Sequence, residues 1–232
     1  MIDRGLNYGR HHIRNFLRAS SPYQSVLDIG AGYGDDLAIA RAEQPDANLY
    51  AIEMYQPSVV RLAEQGITVY KSNIEQEIFP FTDSSLDVIL ANQILEHTKE
   101  LFWIFHEISR SLREGGSLII GVPNLASLHN RLLLLLGYQP TVIQSASAHV
   151  RGFTKHDILR MLHAVFPGGY TLQGFGGSNF YPFPPSLARP LSAMAPGMAW
   201  GIFLRLEKCR QYDGEFLDFP ARARLETNFF VG

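Results

Sequence analysis

Residues 26–36, VLDIGAGYGDD, join a short apolar run ending in an acid to three glycines on alternate positions and two further acids. A strand that feeds a glycine-rich turn and then a helix is a recurring ligand site. Glycine lets a ligand approach the backbone, and the helix N-terminus offers free N–H groups. The acids decide which ligand. A dinucleotide-binding turn, G-x-G-x-x-G, would place glycine at position 35 against the pyrophosphate, where this chain has Asp35 followed by Asp36. Carboxylates at short range from a pyrophosphate cost roughly a kcal/mol or more each. A cationic ligand would be attracted by the same groups. Asp35 and Asp36 also suit the first turn of a helix, where acids complement its positive end. Asp28 has no such ordinary role, because a carboxylate inside an apolar strand needs a partner or a ligand.

Glu53 adds a second element. It ends the run NLYAIE, about 20 residues beyond the turn, where a carboxylate can accept from both ribose hydroxyls of an adenosine. Asn92 and Gln93 close a later apolar run, SLDVILAN, at the edge where open α/β sheets bind ligands; polar residues there are also common turn formers. Two histidines are candidates for acid–base work: His97, just after that run, and His149, in SAHVRGFT. Arg151 is a candidate for an anionic substrate or for pairing with an acid, and Tyr138 is a further candidate substrate contact. His11 and His12 read as surface residues of a first helix.

These residues need elements to position them. The spacing predicts an amphipathic helix over 9–18, then SVLDIG as a strand buried on both faces, a helix through DDLAIARAEQ, and NLYAIE as a second strand. PSVVRLAEQG is a helix stopped by Gly66, ITVYKS a third strand, and SLDVILAN and GSLIIGVP two more, separated by the helix ELFWIFHEISRSLREGG. Strands alternating with helices imply a parallel sheet covered on both sides. Beyond Pro123 the alternation loosens. NLASLHNRLLLLLG and TKHDILRMLHAVF read as helices, YTLQGFGG and AWGIFLRLEK as the last strands, with an irregular proline-rich segment between those strands. That segment suits either packing over the sheet edge or a hydrophobic lid for a lipid-linked substrate.

Composition narrows the class. With 232 residues and 46% hydrophobic content the chain can bury a substantial core as one domain. The expected division is an N-terminal helix (1–20), a core (25–124), substrate-side helices and a lid (125–200) and a tail (207–232). Twenty basic residues against 22 acids leave a net charge of −2, so no global field argues for nucleic acid. A single cysteine excludes an internal disulfide and any multi-cysteine metal site, and no metal site is expected. No run reaches the roughly 18 apolar residues of a membrane span, and the first 20 residues lack a secretory core. A cytoplasmic location is the default expectation, with peripheral membrane contact left open.

Through VLDIGAGYGDD, YAIEMYQP, SNIEQEIFPFTDSSLDVILANQILEH and HEISRSLREGGSLIIGVPN, residues 25–124 resemble the class I S-adenosylmethionine-dependent methyltransferases, especially small bacterial enzymes acting on metabolites and glycans. S-adenosylmethionine carries a sulfonium and an ammonium and no phosphate, which suits the acidic turn. The resemblance implies a Rossmann-like α/β fold: a seven-stranded, mostly parallel sheet with helices on both faces and the last strand antiparallel. It also implies methyl transfer to an oxygen or nitrogen of a small metabolite, sugar or biosynthetic intermediate, leaving S-adenosylhomocysteine. By the same resemblance Asp28, Gly30, Gly32, Gly34 and Asp35 line the methionine end of the cofactor, Glu53 holds the ribose and Met54 flanks the adenine. Asn73 and Ile74 meet the adenine edge, and Asn92 and Gln93 lie beside the methyl group. Asn73 stands where the family commonly has aspartate; its carbonyl can still accept from the adenine amino group. SAHVRGFT resembles a family motif H-x-R-x-F-T in which the chain returns over the cleft, making His149 a candidate base; His97, near the expected methyl position, is a second, though LEH equally suits the start of a helix. The partners implied are a small molecule or a glycan- or lipid-linked substrate. Two other classes compete: an NAD(P)-binding oxidoreductase, disfavoured by Asp35, and a non-catalytic cofactor-binding scaffold.

Overall fold

The computed structural model describes residues 3–225. A short 3₁₀ turn over Arg4–Tyr8 leads into α1 (Arg10–Ala19), then β1 (Ser25–Ile29), α2 (Asp35–Glu43), β2 (Asn48–Ile52), α3 (Gln56–Glu64), β3 (Thr68–Tyr70) and β4 (Leu86–Asn92). There follow α4 (Leu101–Ser111), β5 (Leu112–Pro123), α5 (Leu128–Leu135), α6 (Lys155–Val165), β6 (Tyr170–Ser178), α7 (Pro185–Met194), β7 (Gly201–Lys208) and α8 (Glu215–Arg222). The seven strands form one sheet in the order β3-β2-β1-β4-β5-β7-β6. β1 through β5 pair in parallel, and β7 runs antiparallel to both β5 and β6. This is the α/β architecture expected, down to the antiparallel last strand.

Strand alternation sends each parity to its own core. Leu27, Ile29, Ile89, Ala91, Leu118 and Ile120 join the face covered by α4, α6 and α8. Val26, Leu49, Ala51, Val88, Leu90, Ile119 and Phe203 join the face covered by α1, α2 and α3. Asp28 has the parity of Val26, so it points to the side of α1 and α2. At the opposite edge Asp87 clamps the sheet, accepting from the backbone N–H groups of Gln24 (2.7 Å) and Ser25 (2.9 Å) and pairing with Arg113.

Three local readings are corrected. α4 stops at Ser111, not Gly116: Ser84 and Ser85 donate to the Arg110 and Ser111 carbonyls, Leu112 pairs with Leu86, and the chain enters β5. The proline-rich segment contains a helix, α7, because Pro185 occupies its first turn, where a missing N–H costs nothing. His12 is not a surface residue of α1; its Nε2–H donates to the Gly177 carbonyl (2.9 Å) and its ring stacks on Phe203 at 5.4 Å. The tail is described as far as α8 and residue 225, and positions 226–232 lie outside the described residues.

One glycine fixes the site's floor. A Cβ on Gly121 would lie 2.2 Å from Asn92 Oδ1 and 2.7 Å from the Phe203 ring, so only glycine leaves room for the Asn92 amide at the end of β4. We expect Gly121→Ala to destabilise the fold by about 1–3 kcal/mol through overpacking. Urea denaturation checks this, and an unchanged midpoint would show that Asn92 can move aside.

Candidate functional site

The carboxyl ends of β1, β2 and β4 converge on one cleft, as parallel strands leading into helices require. Its two cavities, each about 200 Å³, share Gly30. The first is lined by Asp28, Gly32, Asp35, Asp36, Asn92, Gln93 and, from the N-terminal segment, Tyr8 and Arg10. The second is lined by Glu53, Met54, Asn73, Ile74, Glu75, Ile94, His97 and Thr98.

The first cavity is acidic and incompletely paired. Asp28 is buried, and burial, followed by the charges of Asp36 and Glu53, holds its carboxyl well above the usual carboxylate value. Asp36 is also raised by burial, opposed by the Asn92 amide, whose Nδ2 donates to Asp36 Oδ2 at 2.7 Å. Arg10 pairs with the exposed Asp35 and stands 3.9 Å from Asp36 Oδ1. Among the described residues, three buried side-chain atoms beside this space have no hydrogen-bond partner: Asp36 Oδ1, Asn92 Oδ1 and Gln93 Nε2. Gln93 has φ 57°, a left-handed conformation rare outside glycine, and its N–H donates to the Gly121 carbonyl at 2.7 Å. Gly30, Gly32 and Gly34 all have positive φ, which is the reason the turn is built from glycine.

In the second cavity Glu53 also holds the turn itself. Its Oε2 accepts from Gly32 N–H, and its Oε1 from Met54 and Tyr55 N–H, all at 2.8 Å. Met54 is exposed and Ile74 is buried. Asn73 Oδ1 accepts from Glu75 N–H at 3.0 Å, which orients the amide and leaves its second lone pair and the Nδ2 donors free.

A loop crosses above this cavity. Val150 N–H donates to the Glu96 carbonyl (2.8 Å), and the Arg151 guanidinium donates to the carbonyls of Thr98 (3.0 Å) and Lys99 (2.6 Å). Arg151 therefore fastens the loop. These bonds bring His149 to His97, their rings edge-to-face with centroids 4.8 Å apart. Burial lowers the pKa of His97 and pushes the Glu96 carboxyl up to about 7. Tyr138 is exposed beyond the end of α5 and lines neither cavity.

Tyr8, Arg10 and Glu96 were not singled out from sequence. Arg10 lies far from the turn in the chain and reaches it only because α1 packs against α2. Glu96 carried a signal, an acid beside His97 directly after an apolar strand. A further cavity of about 520 Å³ is lined by Arg10, His11, His12 and Arg189; His11 stays exposed on α1, as expected, while partial burial of its ring, with His12 and Arg189, lowers its pKa to about 4.

A family model described as "Methyltransferase domain" matches residues 27–120. The 27-O-demethylrifamycin SV methyltransferase of Amycolatopsis mediterranei is 29% identical over 116 residues, covering 44% of this chain and 41% of that protein. The arsenite methyltransferase of Halobacterium salinarum is 28% identical over 108 residues, covering 44% of this chain and 28% of that protein. The chain thus spans less than half the length of either relative. Among solved structures, the plantazolicin methyltransferase BpumL in complex with SAH superposes with a TM-score of 0.61 at 18% identity, covering 89% of this chain and 86% of that one. The 1,6-didemethyltoxoflavin-N1-methyltransferase of Burkholderia thailandensis superposes with a TM-score of 0.58 at 17% identity, covering 87% of this chain and 78% of that one.

The raised pKa of Asp28 makes its ionised form a burden on the fold. The penalty begins above the ordinary carboxylate pKa and grows with pH toward the shifted value. Asp28→Asn should therefore stabilise the ligand-free protein at pH 7 by on the order of 1 kcal/mol, a rise in Tm of about 2–4 °C, with no gain near pH 3. Thermal melts at the two pH values check this; a lower Tm at pH 7 would mean that Asp28 is needed structurally.

Proposed function

We propose, from the match of residues 27–120 to the methyltransferase-domain family model, that this chain is a class I S-adenosylmethionine-dependent methyltransferase, binding S-adenosylmethionine and transferring its methyl group to a small molecule. The observation that carries the reading is the first cavity: buried Asp28 and half-buried Asp36 face it, and Asp36 Oδ1 and Asn92 Oδ1 are acceptors without donors among the described residues. A site of unpaired acceptors and raised carboxylates fits a ligand that brings an ammonium and a sulfonium, and it opposes a pyrophosphate. Glu53, Met54, Asn73 and Ile74 fit an adenosine beside it: a carboxylate for the ribose hydroxyls and an apolar, amide-edged slot for the base.

When bound, the cofactor supplies a methyl carbon already activated by its sulfonium, so the protein mainly binds, orients and desolvates the reactants. Asp28 and Asp36 hold the cationic end, Glu53 fixes the ribose, and Arg10 and Tyr8 close the cavity from the N-terminal segment. We assign the acceptor side to His97 and His149, which the crossing loop brings to the cleft. Both Nδ1 atoms face backbone carbonyls, His97 that of Ala148 (3.2 Å) and His149 that of Val142 (2.8 Å). A carbonyl only accepts, so each Nδ1 carries the hydrogen and each Nε2 keeps a free lone pair. The small-molecule relatives support an acceptor of that size, on oxygen or nitrogen.

Glu53→Ala should weaken S-adenosylmethionine binding by about tenfold or more, the loss expected for hydrogen bonds to a charged acceptor. Calorimetric titration measures this, alongside a melt of the ligand-free variant. Unchanged affinity with a lowered Tm would reduce Glu53 to a fastener of the glycine turn and refute its ribose role.

A further inference from the structure

The two histidines have a third neighbour that methyl transfer as described leaves unused. Glu96 is only 2% exposed, and its Oε2 has no hydrogen-bond partner among the described residues. A buried carboxylate oxygen without a donor is costly and calls for a cation or a proton. Its backbone carbonyl meanwhile holds Val150, the residue after His149. One ligand-type atom from each of Glu96, His97 and His149 lies within 4.8 Å of the others.

The hydrogen bonds of the two rings are those of metal-ligating histidines. In such sites one ring nitrogen donates to a carbonyl or carboxylate, which fixes the tautomer and turns the other nitrogen's lone pair to the ion. Here both Nδ1 atoms are held in this way, by the carbonyls of Ala148 and Val142. Two neutral imidazoles and one carboxylate make a donor set suited to first-row divalent ions such as zinc or manganese, and three protein ligands leave a position open for a further oxygen. Ligands at about 2.0–2.2 Å from such an ion lie roughly 3.3–3.6 Å apart at tetrahedral angles. The three groups therefore need to draw in by about an ångström, which side-chain rotation on an exposed His97 and a loop-borne His149 allows.

We infer that Glu96, His97 and His149 form a site for a divalent first-row transition cation at the rim of the cleft, its open position directed to an oxygen-bearing acceptor. The acceptor part rests on the methyl-transfer reading above; cation binding does not. His97 belongs both to this cluster and to the wall of the second cavity, so a cation held here sits beside the cofactor space. With manganese in the site a hydroxyl or carboxylate oxygen of the acceptor is the favoured further ligand, whereas zinc would take an amine as well.

The test uses the intact chain, freed of metal with a chelator and titrated with Co²⁺, read by its visible absorption, and with Zn²⁺ and Mn²⁺ by calorimetry. S-adenosylmethionine is titrated in parallel. The expected result is one cation per chain, with affinity falling tenfold or more in both Glu96→Gln and His149→Ala and unchanged in His163→Ala, whose exposed ring on α6 lies outside the cluster. His149→Ala serves if Glu96→Gln does not fold, since its site lies on a loop. Cation binding that is absent in the wild type, or equally tight in both cluster variants, overturns the inference. If S-adenosylmethionine still binds in that event, the cation site alone fails; if neither binds, the methyl-transfer reading falls with it.

Discussion

The cleft is organised around a buried carboxylate, Asp28, that faces the cavity and forms no ion pair among the described residues. Asp28 is the next-to-last residue of β1, set among apolar residues of its strand, and the charges that act on it, Asp36 and Glu53, share its sign. A fold tolerates such a group only if something else requires it, because desolvation and like-charge repulsion both disfavour its ionised form. The surroundings are arranged to keep it in place. Gly30, Gly32 and Gly34 turn the chain away from the carboxylate through left-handed conformations, Glu53 fastens that turn through Gly32, and Gly121 leaves the space in which Asn92 reaches Asp36. Each contact concentrates negative charge and unpaired acceptors on one small cavity, and that concentration makes a cation the complementary ligand.

Much of this was legible in the sequence because it is local. The strand, glycine turn and acidic helix start are contiguous in VLDIGAGYGDD, and the acid at the end of β2 follows at the distance set by one helix and one strand. Strand order and the antiparallel β7 came from resemblance, since periodicity alone does not say which strands adjoin. The failures are equally physical. The end of α4 was misplaced because SLREGG carries a helix-like charge pattern, while the pairing of Leu112 with Leu86 that ends the helix is a contact 26 residues away in the chain. Arg10 and Tyr8 reach the cleft only through the packing of α1, and His12 is held half-buried by Phe203 and Gly177, both more than 160 residues distant. No window of sequence contains such contacts.

The acceptor side shows the same limit in another form. His97 and His149 stood out as single candidates, yet their meeting depends on a loop held by backbone carbonyls of residues 96, 98 and 99, and the carbonyl oxygens that fix their tautomers belong to Ala148 and Val142. Backbone acceptors have no sequence signature. Arg151, which resembled a substrate ligand by type, is instead one of the loop's fasteners, because its guanidinium fork matches two adjacent carbonyls better than a lysine would.

The most direct test of the central claim is a paired calorimetric titration of the intact chain with S-adenosylmethionine and with NADH under identical conditions. An acidic, acceptor-rich turn predicts saturable binding of S-adenosylmethionine and no measurable heat with NADH. Saturable binding of NADH with none for S-adenosylmethionine would contradict it.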